Sequence, residues 1–390
     1  MRIFIYAGTY SSCSFGTKLA ATAGAAIAAS LVLASCSAGG GPSSSGDNTS
    51  ASACSAAEQV GAWPIKERAA QLLMGGTSGE MGQIAIENSV EAVRKDWVGG
   101  VNYLGSLSQY AFGDNQLGQV VDAGGEFPPL LAVDEEGGRV ARLQEHIDVP
   151  SAREQGYTST DDVEKLGAKV GRTMRKMSLN MNLAPVVDVS DQAEWEVIGD
   201  RSYSDDAKKV TEFAGAFANG LRSQDVIPVV KHFPGLGSGS GNTDFEEAET
   251  PPLSRLKEKD LIPYESLLLE QPVAVMVTNA VVPGLTGRKP ASLSSATYKL
   301  LRDDYGFGGV IMTDSLSAAA VQDNLDTAGA VVKSIKSGAD IAVWDSLSEA
   351  QDVRDEVVRA VRSGEISETQ INESAARVLE LKGIQLCSSE

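Results

Sequence analysis

The chain has 390 residues, 42% of them hydrophobic and 22% charged, a globular composition that excludes a fibrous or wholly disordered protein. Its formal net charge is -19. A surface of that sign repels phosphate backbones and anionic lipid headgroups, so no nucleic-acid partner is expected.

In chain order, the first feature is residues 19–35, LAATAGAAIAASLVLAS, which follow Lys18 and run into Leu33, Ala34, Ser35 and Cys36. A basic residue, a short apolar stretch and small residues before a cleavage point mark a secretory signal. Leu33 three positions before Cys36 matches the bacterial lipobox, in which Cys36 becomes the lipid-bearing first residue of the mature protein. Residues 1–35 are then removed, and residues 1–17 lie upstream of what such a signal needs, as an overextended start would leave. A membrane-spanning anchor is the competing reading, but the stretch falls short of the roughly 20 apolar residues that a span requires. Residues 36–57, rich in Gly and Ser, have little to bury and form a flexible tether. The expected protein is an exported monomer, held by lipid on the outer face of the cytoplasmic membrane. Its remaining cysteines, Cys54 and Cys387, sit at the two ends of the domain. An oxidising compartment permits their pairing, and the ends of a closed barrel lie close together, so a disulfide is expected.

Residues 58–390 alternate amphipathic stretches with short runs of Val, Ile and Leu, the pattern of a parallel sheet covered by helices. The predicted strands are residues 98–104, 129–134, 179–189, 226–233, 274–280, 308–314 and 339–344. Predicted helices cover residues 161–178, the proline-broken 243–269, 348–364 and 368–383, with Gly364 and Gly383 as stops. Seven clear strands and one weak one in about 330 residues suit a single (β/α)8 TIM-type barrel, with a doubly wound open sheet as the alternative.

Three strands finish in titratable groups: Asp134 after LLAV, Lys231 and His232 after IPVV, and Asp314 after VIMT. Such residues gather at the mouth of a barrel, where active sites are built. A lone strand-end carboxylate is usually a loop cap, and a Lys231–Asp314 ion pair that merely completes the barrel is the structural alternative. Neither a helical His pair nor a phosphate-loop spacing is present, so no metal or cofactor is expected.

The motifs carry a resemblance. LLAVDEEGGRVARL, VIGDRSYSDD, KHFPG at 231–235, PASLS at 290–294, VIMTDSLS and SGAD at 337–340 occur in one order over residues 65–385. In these the chain resembles glycoside hydrolase family 3, in its single-domain bacterial β-N-acetylglucosaminidase form. The resemblance implies a retaining glycosidase for β-linked N-acetylglucosamine, with peptidoglycan fragments as the expected substrate. It implies Asp314 as nucleophile and Asp134, Arg142, Arg201, Lys231 and His232 as sugar-binding residues. A retaining enzyme needs one carboxylate to attack the anomeric carbon and one acid to protonate the departing oxygen.

The acid is where the chain departs. The family carries an Asp-x-His pair on the loop after KHFPGHG, whereas this chain reads KHFPGLGSGSGNTDFEE, with Leu236, Asn242 and Asp244 at the matching positions. A family histidine in the strand at 274–280 is replaced by Asn279. The chain has only two histidines, His146 and His232, and neither supplies the missing acid. Two readings follow. Asp244 takes over, held protonated by Glu246, Glu247 and Glu249 on its loop and by Asp314. Otherwise the barrel survives as an impaired, glycan-binding lipoprotein, because loss of a general acid costs about 10²- to 10⁴-fold in turnover without removing binding. A β-glucosidase or phosphorylase of the same fold is a third reading.

Overall fold

A computed structural model describes residues 55–322 and 325–387. The predicted signal peptide, Cys36 and Cys54 lie outside the described residues. Cys387 is disulfide-bonded. The tether predicted to reach residue 57 gives way earlier to a helix, Ala56–Gly61.

Eight strands form one sheet: β1 (Leu73–Ser78), β2 (Gly100–Leu104), β3 (Leu130–Val133), β4 (Met181–Asn182), β5 (Ile227–Phe233), β6 (Ala274–Val277), β7 (Val310–Thr313) and β8 (Ala342–Trp344). All neighbours run parallel, and β8 lies beside β1. The ring closes where Met312 pairs with Ile341, with Thr313 N donating to Ile341 O at 3.0 Å. This is the predicted barrel, not the open sheet.

The weak eighth strand is β1, whose LMGGTS hides from a hydrophobic pattern because it needs glycine for space. A Cβ on Gly76 would lie 2.7 Å from the Asp345 Cα, and one on Gly75 would lie 2.7 Å from the Leu347 side chain. The predicted strand at 179–189 is regular only at Met181–Asn182. Pro185, which has no N–H to give the ladder, interrupts it, and pairing resumes at Val186 opposite Lys231. Of the predicted helix at 243–269 only Leu253–Glu258 and Ile262–Leu267 are helical. Pro251 and Pro252 hold the chain ahead of them out of helix. The two predicted glycine stops adopt positive φ, +78° at Gly364 and +79° at Gly383, where other residues are strained.

Strand side chains alternate between two cores. Met74, Leu130, Ala132, Met181, Ile227, Val229, Ala274, Met276, Val310, Met312, Ile341 and Val343 fill the barrel interior. Their neighbours Leu131, Val133, Val275, Val277 and Ile311 pack outward under the helices. Because the period is two, the inward series run on to Lys231 near the end of β5 and, one residue past their strands, to Asp134, Asp314 and Asp345. The fold therefore aims four charged side chains at the same mouth.

Candidate active site

That mouth holds a cavity of about 270 Å³, lined among others by Asp134, Arg142, Arg201, Lys231, Asp244 and Asp314. A larger one of about 630 Å³ opens at the opposite end of the barrel, beside Leu130, Ile227 and Lys382. Size does not decide between them. Loops following the strands converge on the smaller cavity, and it is there that the barrel geometry gathers reactive groups.

Lys231, 2% exposed, is the hub. Its Nζ lies 2.6 Å from Asp134 Oδ1 and 2.7 Å from Glu136 Oε1. Burial opposes its charge, but Asp134 and Glu136 more than compensate and its pKa is raised. Arg201 grips Glu136 with two bonds, Nε to Oε2 at 2.7 Å and a terminal nitrogen to Oε1 at 2.8 Å. Burial works against the Glu136 charge too, and Arg201 and Lys231 overcome it, holding this carboxyl well below the usual range. Thus Lys231 is paired with Asp134 and Glu136, and the alternative of a Lys231–Asp314 pair is not what forms. Glu136 was missed as a site residue, although it stands inside the quoted EEGGR stretch.

His232 follows Lys231 at a register shift between β5 and β6, the kind of irregularity that re-aims side chains beside active sites. Its Nδ1 lies 2.7 Å from Asp188 Oδ2, which also receives company from the Leu236 N–H on Oδ1 at 2.6 Å. A carboxylate at Nδ1 fixes the ring and turns Nε2 to the cavity, 3.5 Å from Arg201. Asp188 is the second residue missed; its only signal is a charge inside the apolar run VVDVS.

Arg142 lines the cavity, its Nε buried without a partner among the described residues. Its backbone N–H and that of Leu143 both reach Glu135 Oε2 at 2.8 Å. Glu135, fully buried with its other oxygen unpartnered, is pushed up to about 7 by burial, against those two N–H bonds. It ties the hairpin formed by Glu135–Gly137 and Val140–Ala141 beneath Arg142.

Asp314 receives the Ser315 N–H on Oδ1 at 2.8 Å. Burial raises its pKa, His232 opposes the rise and Asp244 adds to it. Asp244 is exposed, yet it lines the same cavity. Asn242 does not form a catalytic pair with it: Asn242 Oδ1 accepts from the Asp244 backbone N at 3.0 Å, a local turn bond. The loop glutamates do not crowd it as expected. Glu246, Glu247 and Glu249 are exposed and absent from the cavity lining, because the loop turns them to solvent. The nearby carboxyls are Asp314 and Asp345 instead.

The other two replaced positions are built into the wall. Leu236 is buried with Val186, Ile198, Ala248 and Ala280. Asn279 donates to Ser315 O at 2.6 Å and accepts from Ser292 at 2.6 Å, linking PASLS to the Asp314 segment. His146 lies away from the cavity with Nε2 3.0 Å from Leu107 O. Among the described residues no cluster of three or more His, Cys, Asp or Glu could hold a metal, and no helix is long and apolar enough to cross a membrane.

Residues 65–381 match the family model described as glycosyl hydrolase family 3 N terminal domain. The chain is 44% identical over 295 residues to the beta-hexosaminidase LpqI of Mycobacterium tuberculosis, covering 73% of this chain and 76% of that protein. Among solved structures, a family 3 glycosyl hydrolase from Mycobacterium smegmatis superposes with a TM-score of 0.78 at 41% identity, over 83% of this chain and 98% of that one. A beta-N-acetylhexosaminidase from Beutenbergia cavernae gives 0.76 at 28% identity, over 82% of this chain and 99% of that one.

Proposed function

From the premise that this chain belongs to glycosyl hydrolase family 3, we propose that it is a hexosaminidase-like glycosidase whose nucleophile is Asp314. Its substrates are glycans containing N-acetylglucosamine, and at the cell envelope these are peptidoglycan fragments. The observation that carries this reading is the convergence of Asp314 with the Asp134–Lys231–Glu136–Arg201 network on one cavity.

The network supplies binding. Lys231 occupies Asp134 Oδ1, so the other oxygen of this carboxylate remains to accept from a sugar hydroxyl. Arg142 offers its guanidinium to the same sugar, and the ion pairs of Lys231 and Arg201 hold Asp134 and Glu136 in place before substrate arrives. In the first step Asp314 attacks the anomeric carbon, and the bond to the leaving sugar breaks with its electrons going to the glycosidic oxygen. That oxygen takes a proton from the carboxyl side of the rim, where Asp244 stands. Water then attacks the same carbon, its proton passes back to the Asp244 carboxylate, and Asp314 leaves as carboxylate.

The glycan-binding reading draws support from the wall itself: Leu236 and Asn242 occupy the family's acid-loop positions as a buried apolar side chain and a turn-forming amide. One comparison separates the two. The purified protein is assayed on a nitrophenyl N-acetylglucosaminide, whose leaving group departs unprotonated, and on chitobiose, whose leaving group cannot. Hydrolysis of the nitrophenyl substrate that disappears in Asp314→Asn is expected. No turnover of either substrate, with sugar binding that is lost in Asp134→Ala, sinks the hydrolase reading.

A further inference from the structure

Asn102 sits in the middle of β2 and has no role in the reading above. It is 4% exposed and lines the cavity that holds Asp134, Arg142 and Asp314. Its neighbours across the sheet are Gly76 on β1 and Ala132 on β3, and neither side chain can give or take a hydrogen bond. Asn102 Oδ1 is accordingly buried without a partner among the described residues. Of the other residues lining this cavity, Arg142 alone shares that condition among the described residues, through its Nε. A buried acceptor left unmet is costly, and an apolar side chain would suit the strand equally well, so an amide here is suited to a donor that arrives from outside the protein.

We propose that Asn102 is a specificity residue that hydrogen-bonds a hydroxyl at the end of the terminal sugar farthest from its anomeric carbon, at C4 or C6. The inference rests on the glycosidase reading, which sets the anomeric carbon against Asp314.

Strand order decides which part of the sugar Asn102 meets. In the closed ring of eight, β3 stands opposite β7, and β2 is next to β3. Asp314 follows β7, so a pyranose ring with its anomeric carbon there turns its far end toward β2 and β3, where Asn102 and Asp134 stand. That end carries the C4 hydroxyl and the C6 hydroxymethyl, whereas the C2 acetamido group stays beside the anomeric carbon. An amide has one accepting and one donating end, and a hydroxyl can meet either. Lys231 already occupies Asp134 Oδ1, so Asn102 adds a hydrogen-bonding group where two hydroxyls arrive together. The two positions differ in consequence. At C4, Asn102 separates N-acetylglucosamine from its galacto epimer; at C6, it selects a free hydroxymethyl over a 6-substituted sugar.

The test crosses variants of the purified full chain with substrate analogues: the nitrophenyl N-acetylglucosaminide, its 4-deoxy and 6-deoxy forms, and its galacto epimer. Asn102→Ala is expected to lower kcat/KM on the parent glycoside about tenfold, and by less than about twofold on the deoxy analogue that lacks the hydroxyl Asn102 meets. Whichever analogue abolishes the loss identifies C4 or C6, and a C4 contact also narrows the preference for the parent over the galacto epimer. Asn102→Leu, close in volume, is expected to give the same pattern with a thermal midpoint no lower than wild type, since the atom it removes has no partner in the free protein. Losses of equal size on all four glycosides in both variants mark a merely structural asparagine and overturn the inference. If wild-type protein hydrolyses none of them, titration calorimetry with N-acetylglucosamine decides. Binding weakened about tenfold in Asn102→Ala ends the hydrolase reading and keeps the contact, whereas binding that is absent, or unchanged in the variant, overturns the contact as well.

Discussion

Replacing Glu136 by Gln tests the reasoning about the site's charge network most directly. The Glu136 carboxylate is 2% exposed and takes two bonds from Arg201 and one from Lys231. In Glu136→Gln an amide oxygen at the Oε1 position still accepts from Lys231 and one Arg201 nitrogen, but the negative charge is gone and the amide N–H₂ faces the Arg201 Nε–H where Oε2 stood. Removing one side of a buried ion group costs about 3–5 kcal/mol, and because Asp134 still holds Lys231 the loss should fall at the lower end, near 3 kcal/mol. Domains are typically stable by only about 5–15 kcal/mol, so the effect is large. The sign with pH is fixed. The folded Glu136 pKa is depressed, so its contribution is fully present above the unfolded value of 4.5 and is lost as pH falls below that toward the folded value. Urea unfolding followed by tryptophan fluorescence at a series of pH values reads this out. The gap between wild type and Glu136→Gln should be constant from about pH 7 to pH 5.5 and narrow below about pH 4.5. A gap under about 1 kcal/mol at pH 7, or one that widens on acidification, refutes the argument.

Glu135 should behave in the opposite sense. Its folded pKa is raised to about 7, so the stability it provides is present below 4.5 and lost as pH rises through 7. Glu135→Gln should therefore gain on wild type by roughly 3 kcal/mol between pH 5 and pH 8, and thermal midpoints that run parallel across that range contradict this. Cys36 should carry lipid and residues 1–35 should be missing from the mature protein; an unmodified Cys36 peptide in the membrane fraction, or a Cys36→Ala protein still held there, overturns that expectation. Cys387 should be joined to Cys54 and close a loop worth at most about 4–5 kcal/mol, and tryptic mapping that links Cys387 to another partner removes the idea.

The barrel was legible because a buried parallel strand writes itself as a run of Val, Ile and Leu, and because the period of two carries over to the residue beyond. Asp134, Lys231 and Asp314 were visible as titratable groups finishing apolar runs, and KHFPG and EEGGR supplied the family. β1 was not legible, since Gly75 and Gly76 are selected by the closeness of Leu347 and Asp345, residues about 270 positions away. Asp345 followed the same inward series as Asp314 but stood just past Trp344, where the predicted strand stopped. Partnership was beyond the sequence altogether. That Lys231 serves Glu136 as well as Asp134, that Asp188 orients His232, and that Glu246, Glu247 and Glu249 turn away while Asp345 turns in are facts of which loops close over the barrel mouth. Hydrophobic pattern sets the direction of a side chain relative to its own strand. The charges it meets are set by elements that tertiary packing alone brings within a few ångströms, and an ionic network exists only at that range.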